Sequence, residues 1–175
     1  ERIPVEGTPG LQGLRFNGAT NSPWISRAAR PTRDDATPRS QLVTIRNGKA
    51  EVVADRLGAF NAGALVVASK PDAQGRLKAL VPLIRDNRLA ILDTRDGKQL
   101  GSLQTGIAPF AVVADEDASV AYVSNWGGRM PNAGDLTAPT GLAAEADRVV
   151  IDKRGIASTG TVTKFDLKTM QPGKI

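Results

Sequence analysis

The apolar positions of this chain come in short runs of Val, Leu, Ile and Ala, broken by Gly, Asp, Asn and Pro. The runs are β-branched and turn-forming residues bound them, which predicts strands joined by tight turns. They also recur. Ala64-Leu65-Val66-Val67-Ala68-Ser69 resembles Phe110-Ala111-Val112-Val113-Ala114-Asp115, 46 residues on. Leu80-Val81-Pro82-Leu83 matches Tyr122-Val123-Ser124-Asn125, 42 residues on. The falling offset predicts a hairpin loop four residues longer in the first copy.

A third run, Leu89-Ala90-Ile91-Leu92-Asp93, matches Val162-Thr163-Lys164-Phe165-Asp166, and Leu42-Val43-Thr44-Ile45 precedes both. A Gly-Lys pair follows each one: Gly48-Lys49, Gly97-Lys98 and Gly173-Lys174. The wider spacing in the last copy predicts an insertion over 129–157. Inside it, Arg148-Val149-Val150-Ile151-Asp152 has the pattern of a short extra strand.

Each unit therefore reads as four short strands. In the central unit they fall at 63–69, 77–84, 88–93 and 99–104; the next unit opens at 110–115, 120–126 and 161–167. Four antiparallel strands at a period of about 40–50 residues mark a β-propeller blade. A β-sandwich of ordinary hairpins explains the strand density but not the recurring order. The expectation is an all-β chain: a propeller fragment of about two to three four-stranded antiparallel blades over 41–175. Residues 1–40 are expected to be a leader or partial blade. The last blade is expected to stop before its fourth strand, and the missing blades of the same propeller are expected partners.

Ala121-Tyr122-Val123-Ser124-Asn125 resembles the signature strand of the YVTN-repeat β-propellers, and Thr161-Val162-Thr163-Lys164-Phe165-Asp166-Leu167 resembles the strand that follows it. The stretch from Tyr122 through Asn125-Trp126-Gly127-Gly128-Arg129 and Gly134-Asp135 to 158–162 is similar to a subclass whose propeller precedes an alkaline-phosphatase-type phosphoesterase domain. The resemblance implies a seven-bladed propeller. In the central unit Leu80-Val81-Pro82-Leu83-Ile84 departs from the signature. Pro82 removes a ladder donor, which predicts an edge position or a bulge there.

Composition narrows the chemistry. There is no Cys and no His, which excludes disulfides, thiol catalysis, Cys- or His-ligated metals and a Ser-His-Asp triad within these residues. Sites for Ca²⁺ or Mg²⁺ built from carboxylates alone stay open. No catalytic residue, metal site or cofactor is expected. The net charge is +5, but the arginines are scattered among Pro and Asp, so nucleic acid is not an expected partner. The longest apolar stretches, 62–68 and 107–114, fall far short of the ~20 residues that span a bilayer. The chain begins with Glu1 and shows no charged segment followed by an apolar one, so the expectation is a signal already removed or a segment cut from something longer.

The insertion is the leading candidate for function, because long loops in compact domains carry function more often than short ones. Trp126, beside Gly-Gly and Arg129, can stack on a planar or sugar ligand; equally, it can seal a blade edge. Asn125, Trp126, Arg129 and Asp135 are the candidates there, joined by Arg85 and Asp86 from the equivalent turn of the preceding unit. Asp34-Asp35 is a lone acidic pair in a polar loop. Gly101 and Gly106 have phosphate-loop spacing, but Ile107 stands where Lys is needed. The expected function is a non-catalytic module, periplasmic or extracellular, that binds a small molecule or protein as part of a larger protein. The alternative is part of a phosphoesterase or metal-dependent propeller hydrolase whose catalytic residues lie elsewhere.

Overall fold

The computed structural model describes residues 11–29, 39–58, 62–157 and 160–173. Among them every regular element is a strand. Among the described residues no helix is long and apolar enough to cross a membrane.

The first sheet is a meander of β1 (Leu11–Asn17), β2 (Ser22–Ala29), β3 (Arg39–Arg46) and β4 (Lys49–Ala54). The second runs β5 (Val66–Val67), β6 (Lys78–Leu83), β7 (Arg88–Asp93) and β8 (Gln99–Gln104). In the third, β9 (Pro109–Ala114) pairs with β10 (Val120–Asn125), and a hairpin of β11 (Thr137–Pro139) and β12 (Arg148–Val150) intervenes. The sheet then resumes with β13 (Thr161–Asp166) and β14 (Gln171–Pro172). All neighbours within these sheets are antiparallel.

The stretch expected as leader or partial blade contributes β1 and β2, half of a four-stranded sheet that β3 and β4 complete. Other sequence expectations are corrected. The third sheet already has a fourth strand, since Phe165 pairs with Pro172 and Asp166 with Gln171. The third Gly-Lys pair is not the turn: Gly97, with φ 70, finds its counterpart in Met170, with φ 57, each four residues past the strand-ending Asp. At Gly97 a Cβ would collide with the Val53 carbonyl oxygen of the first sheet, so this position needs glycine twice over.

A further correction is one of register. Val66 faces Leu80 across the ladder, while Val113 faces Tyr122. The first strands are therefore 47 residues apart rather than 46, and the loop difference is five rather than four. A one-residue slip exchanges the two faces of a strand. With the true register, Leu65 and Val112 point one way and Val66 and Val113 the other.

β5 is shorter than the predicted 63–69 because its N-terminal part divides its hydrogen bonds between two sheets. Gly63 N–H donates to Pro82 O (2.7 Å), whereas Ala64 N–H donates to Phe110 O of the next sheet (2.7 Å). Ala64 and Ala111 form a parallel bridge, so the first strands of neighbouring sheets run side by side. Pro82 does not lie at an edge, because β6 has partners on both sides, but the expected bulge adjoins it. Ala62 lies opposite Leu83 and Gly63 N–H bonds Pro82 O, whereas Val66 faces Leu80, so Ala64 and Leu65 together oppose Val81. The missing Pro82 donor would leave Gly63 O unbonded in the reciprocal pair. The Ser26 hydroxyl of the first sheet donates to that oxygen at 2.6 Å.

Two apolar seams hold the sheets together. Trp24 and Leu42 meet Leu65, Val81, Leu83 and Leu92 between the first and second sheets. Leu80, Leu89 and Ile91 meet Val112, Val123 and Phe165 between the second and third. Each such side chain, withdrawn fully from water, stabilises the fold by about 1.5–3 kcal/mol. Meander connections alternate between the two ends of a sheet. One end therefore carries turns 84–87 and 105–108 and the base of the insertion. The opposite end carries 69–77, 94–98, 115–119 and 167–170.

Candidate functional site

The six candidate residues share the first of these ends, but they resolve into four local arrangements. Asn125 ends β10 and is 2% exposed. Its Oδ1 accepts Gly106 N–H at 3.0 Å, and its Nδ2 donates to Thr163 Oγ1 at 2.8 Å and Thr161 Oγ1 at 3.2 Å. A Cβ on Gly106 would sit 2.8 Å from Asn125 Cγ, so this contact also depends on glycine. Asn87 does the same work from the second sheet, its Oδ1 accepting Ala108 N–H at 2.8 Å. The two amides pin the 105–108 connection from both sides. Asn125 is thus committed to structure.

Trp126 is different. Its backbone is fixed, N–H to Ala108 O at 2.9 Å, yet its side chain is 80% exposed. Its ring stands 5.5 Å from that of Phe110, tilted by 34°. Phe110 is itself 40% exposed, and the sequence pattern had placed it simply in a strand. The rings border a cavity of about 470 Å³ that Ser124, Gly160, Thr161 and Val162 complete. Ring faces beside hydroxyls can stack on a flat or sugar-like molecule and hydrogen-bond its edge.

Arg129 forks onto Asp135, with Nη1 to Oδ2 at 2.6 Å and Nη2 to Oδ1 at 2.9 Å. Nη1 also donates to Met130 O (3.0 Å), and Asn132 N–H donates to Asp135 Oδ2 (2.6 Å). The Arg129 fork, then the Asn132 amide, hold the Asp135 carboxyl down at about 2. This pair closes the base of the insertion. The insertion hairpin lies back on its own sheet, with Val149 Cγ1 near enough that a Cβ on Gly127 would stand 2.8 Å away. Leu142 at its tip is fully exposed. The extra strand predicted at 148–152 is present as β12.

Arg85 is exposed and Asp86 half-buried in the β6–β7 turn. The Asp86 carboxylate packs so tightly on Gly58 of the preceding connection that a Cβ there would collide with it. Asp34 and Asp35 lie outside the described residues. Among the described residues no three His, Cys, Asp or Glu side chains gather as metal ligands do.

No protein-family model and no curated protein sequence matches the chain. Solved structures do. The chain is similar to Kuenenia stuttgartiensis hydrazine synthase with a TM-score of 0.54 and 10% identity, over 97% of this chain and 36% of that one. It is also similar to dihydro-heme d1 dehydrogenase NirN in complex with DHE, with a TM-score of 0.42 and 15% identity, over 94% of this chain and 36% of that one. The second value is too low to carry weight. The chain thus spans about a third of the length of the structures it matches. The first likeness gives the fold: that neighbour is a β-propeller protein, and the three four-stranded sheets are β-propeller blades.

Proposed function

We propose that the chain is a non-catalytic, ligand- or partner-binding part of a YVTN-type β-propeller within a larger exported protein, and that it binds through Trp126 and Phe110. The observation that supports this reading is the pair of aromatic rings left 80% and 40% exposed beside a cavity lined by hydroxyls. Burying two such faces repays a flat or sugar-containing ligand, which the insertion flanks. Asn125 and the Arg129–Asp135 pair set the shape of this end rather than touch the ligand.

The chain's own tryptophans provide the test. Trp24 is fully buried and donates to Thr20 Oγ1, so a ligand that changes tryptophan emission does so through Trp126. A panel of oligosaccharides and planar aromatics is titrated while emission is followed. The expected result is saturable quenching by one class, abolished by Trp126→Ala and weakened about tenfold by Phe110→Ala. No saturable change across the panel would contradict the proposal.

A further inference from the structure

The opposite end of the molecule holds a second cavity, of about 500 Å³, between the second and third blades. Its wall is the 69–77 loop, five residues longer than its counterpart at 116–119. Lys78 lies at the start of β6, where the third blade has Val120. Its side chain is only 8% exposed. Its Nζ donates to Ala118 O at 3.2 Å and lies 3.5 Å from Asp72 Oδ2. An ammonium has three donors, and these two acceptors take two of them.

Asp72 cannot fully neutralise Lys78, because Arg76 already claims it. Asp72 Oδ2 accepts Arg76 Nε at 3.1 Å and Nη2 at 3.0 Å, while Oδ1 accepts the amides of Gln74 and Arg76, both at 2.9 Å. The trio of Asp72, Arg76 and Lys78, with Arg76 a third exposed, therefore carries one excess positive charge. The charges around it balance in pairs: buried Asp93, opposite Lys78 on the ladder, is forked by Arg95, and at the rim exposed Lys168 is offset by Asp117, so the trio's excess is that of the cavity lining. A buried cation without a full counter-charge is costly unless something else completes it. Ile91, Leu100, Leu167 and Met170 give the lining an apolar side, with Gln74 and Ser119 as its remaining polar members.

From this juxtaposition we infer that the cavity binds a small organic anion, its carboxylate or phosphate head on Lys78 and its apolar body against Ile91, Leu100 and Met170. The volume lies in the range of small-molecule sites. The longer loop and the Lys in place of Val both depart from the third blade's pattern, and both serve this cavity.

The test uses the full chain and four probes: hexanoate, hexyl phosphate, 1-hexanol and inorganic phosphate. Amide resonances of Gln74 and Ser119 report occupancy by NMR. The expected result is saturable shifts with hexanoate or hexyl phosphate, at an affinity about tenfold or more above that of 1-hexanol. Lys78→Met is expected to erase that preference. Leu100→Trp, which fills the cavity and leaves Lys78 in place, is expected to abolish binding and keeps the test open if Lys78→Met does not fold. Absence of saturable shifts, or equal affinity for hexanoate and 1-hexanol, would overturn the inference. Inorganic phosphate binding as tightly as the organic probes would overturn the organic ligand.

Discussion

Two faces of this molecule occupy the same place in the repeat and meet different surroundings. In the second blade, Leu80, Leu89 and Ile91 are at most 1% exposed, pressed against the third blade. Their counterparts in the third blade are Tyr122, Val162 and Lys164, by the shared ladder register. There Tyr122 is 41% and Val162 50% exposed, and Val113, the counterpart of Val66, is 56% exposed. The alternation is the same, but only one face has a neighbour. Local pattern sets the strand and its two faces; the adjoining blade decides whether a face becomes core.

The open face also differs where pairing would matter. Lys164 replaces Ile91 and holds its ammonium 5.9 Å from the Tyr122 ring centroid, a cation–π contact that shields part of the face. Ser124 replaces Pro82, and its hydroxyl accepts Ala111 N–H at 3.2 Å. In the second blade the corresponding donor, Ala64 N–H, goes across to the third. The far side of the first blade is open as well, with Leu14 70% and Phe16 67% exposed.

Paired substitutions break or sharpen this comparison. Leu89→Ala is expected to cost about 2–5 kcal/mol, because it empties a closed seam. Val162→Ala at the matching position is expected to change stability by about 0.5 kcal/mol or less. Urea unfolding of both variants decides it. Equal losses would mean that the third blade's outer face is as well packed as the second's.

Acid sharpens the same contrast between packed and exposed regions. Burial raises the Asp72 carboxyl, but the backbone amides and guanidinium of Arg76, the Gln74 amide and Lys78 outweigh it, leaving the group at about 2. Asp135 is held at about 2 as well, by Arg129. Both lie below the ordinary 3.8, so each contributes stability that is complete above about pH 4 and lost as pH falls towards 2. Asp72 braces the loop beside Lys78, whose ammonium reaches Ala118 O of the third blade, whereas Asp135 only closes a loop. Asp72→Asn is therefore expected to flatten the fall in Tm between pH 5 and 2 more than Asp135→Asn does. The reverse order would place the acid-sensitive linkage in the insertion.

The second and third blades were legible from their Val-Leu-Ile runs and Asp turns, down to the short extra strand at 148–150 in the insertion, though not its partner β11. The first half of the first blade was not, because its inward positions are polar. Ser22, Ser26, Ser40 and Thr44 are all buried, which breaks the apolar alternation. They are tolerated because they are bonded, Thr44 Oγ1 to Pro23 O at 3.0 Å and Ser26 Oγ to Gly63 O, for example. The one-residue slip between β5 and β9 arose because two adjacent valines in each run fit either face. At the candidate site, Trp126 was readable from its setting beside two glycines. Phe110 was hidden in a strand pattern, and Asn125 looked like a ligand group although its amide is spent on Gly106 and two threonines. The cavity at the other end draws on several separate loops and strands, so no local pattern announces it.

Sedimentation velocity across a concentration series tests most directly whether the third blade's outer face is an interaction surface. The account predicts that the chain self-associates in the micromolar range, a second copy covering Val113, Tyr122 and Val162, and that Val113→Lys with Val162→Lys shifts it to monomer while leaving its cooperative unfolding intact. A chain that stays monomeric at hundreds of micromolar, with both valines in place, would contradict it.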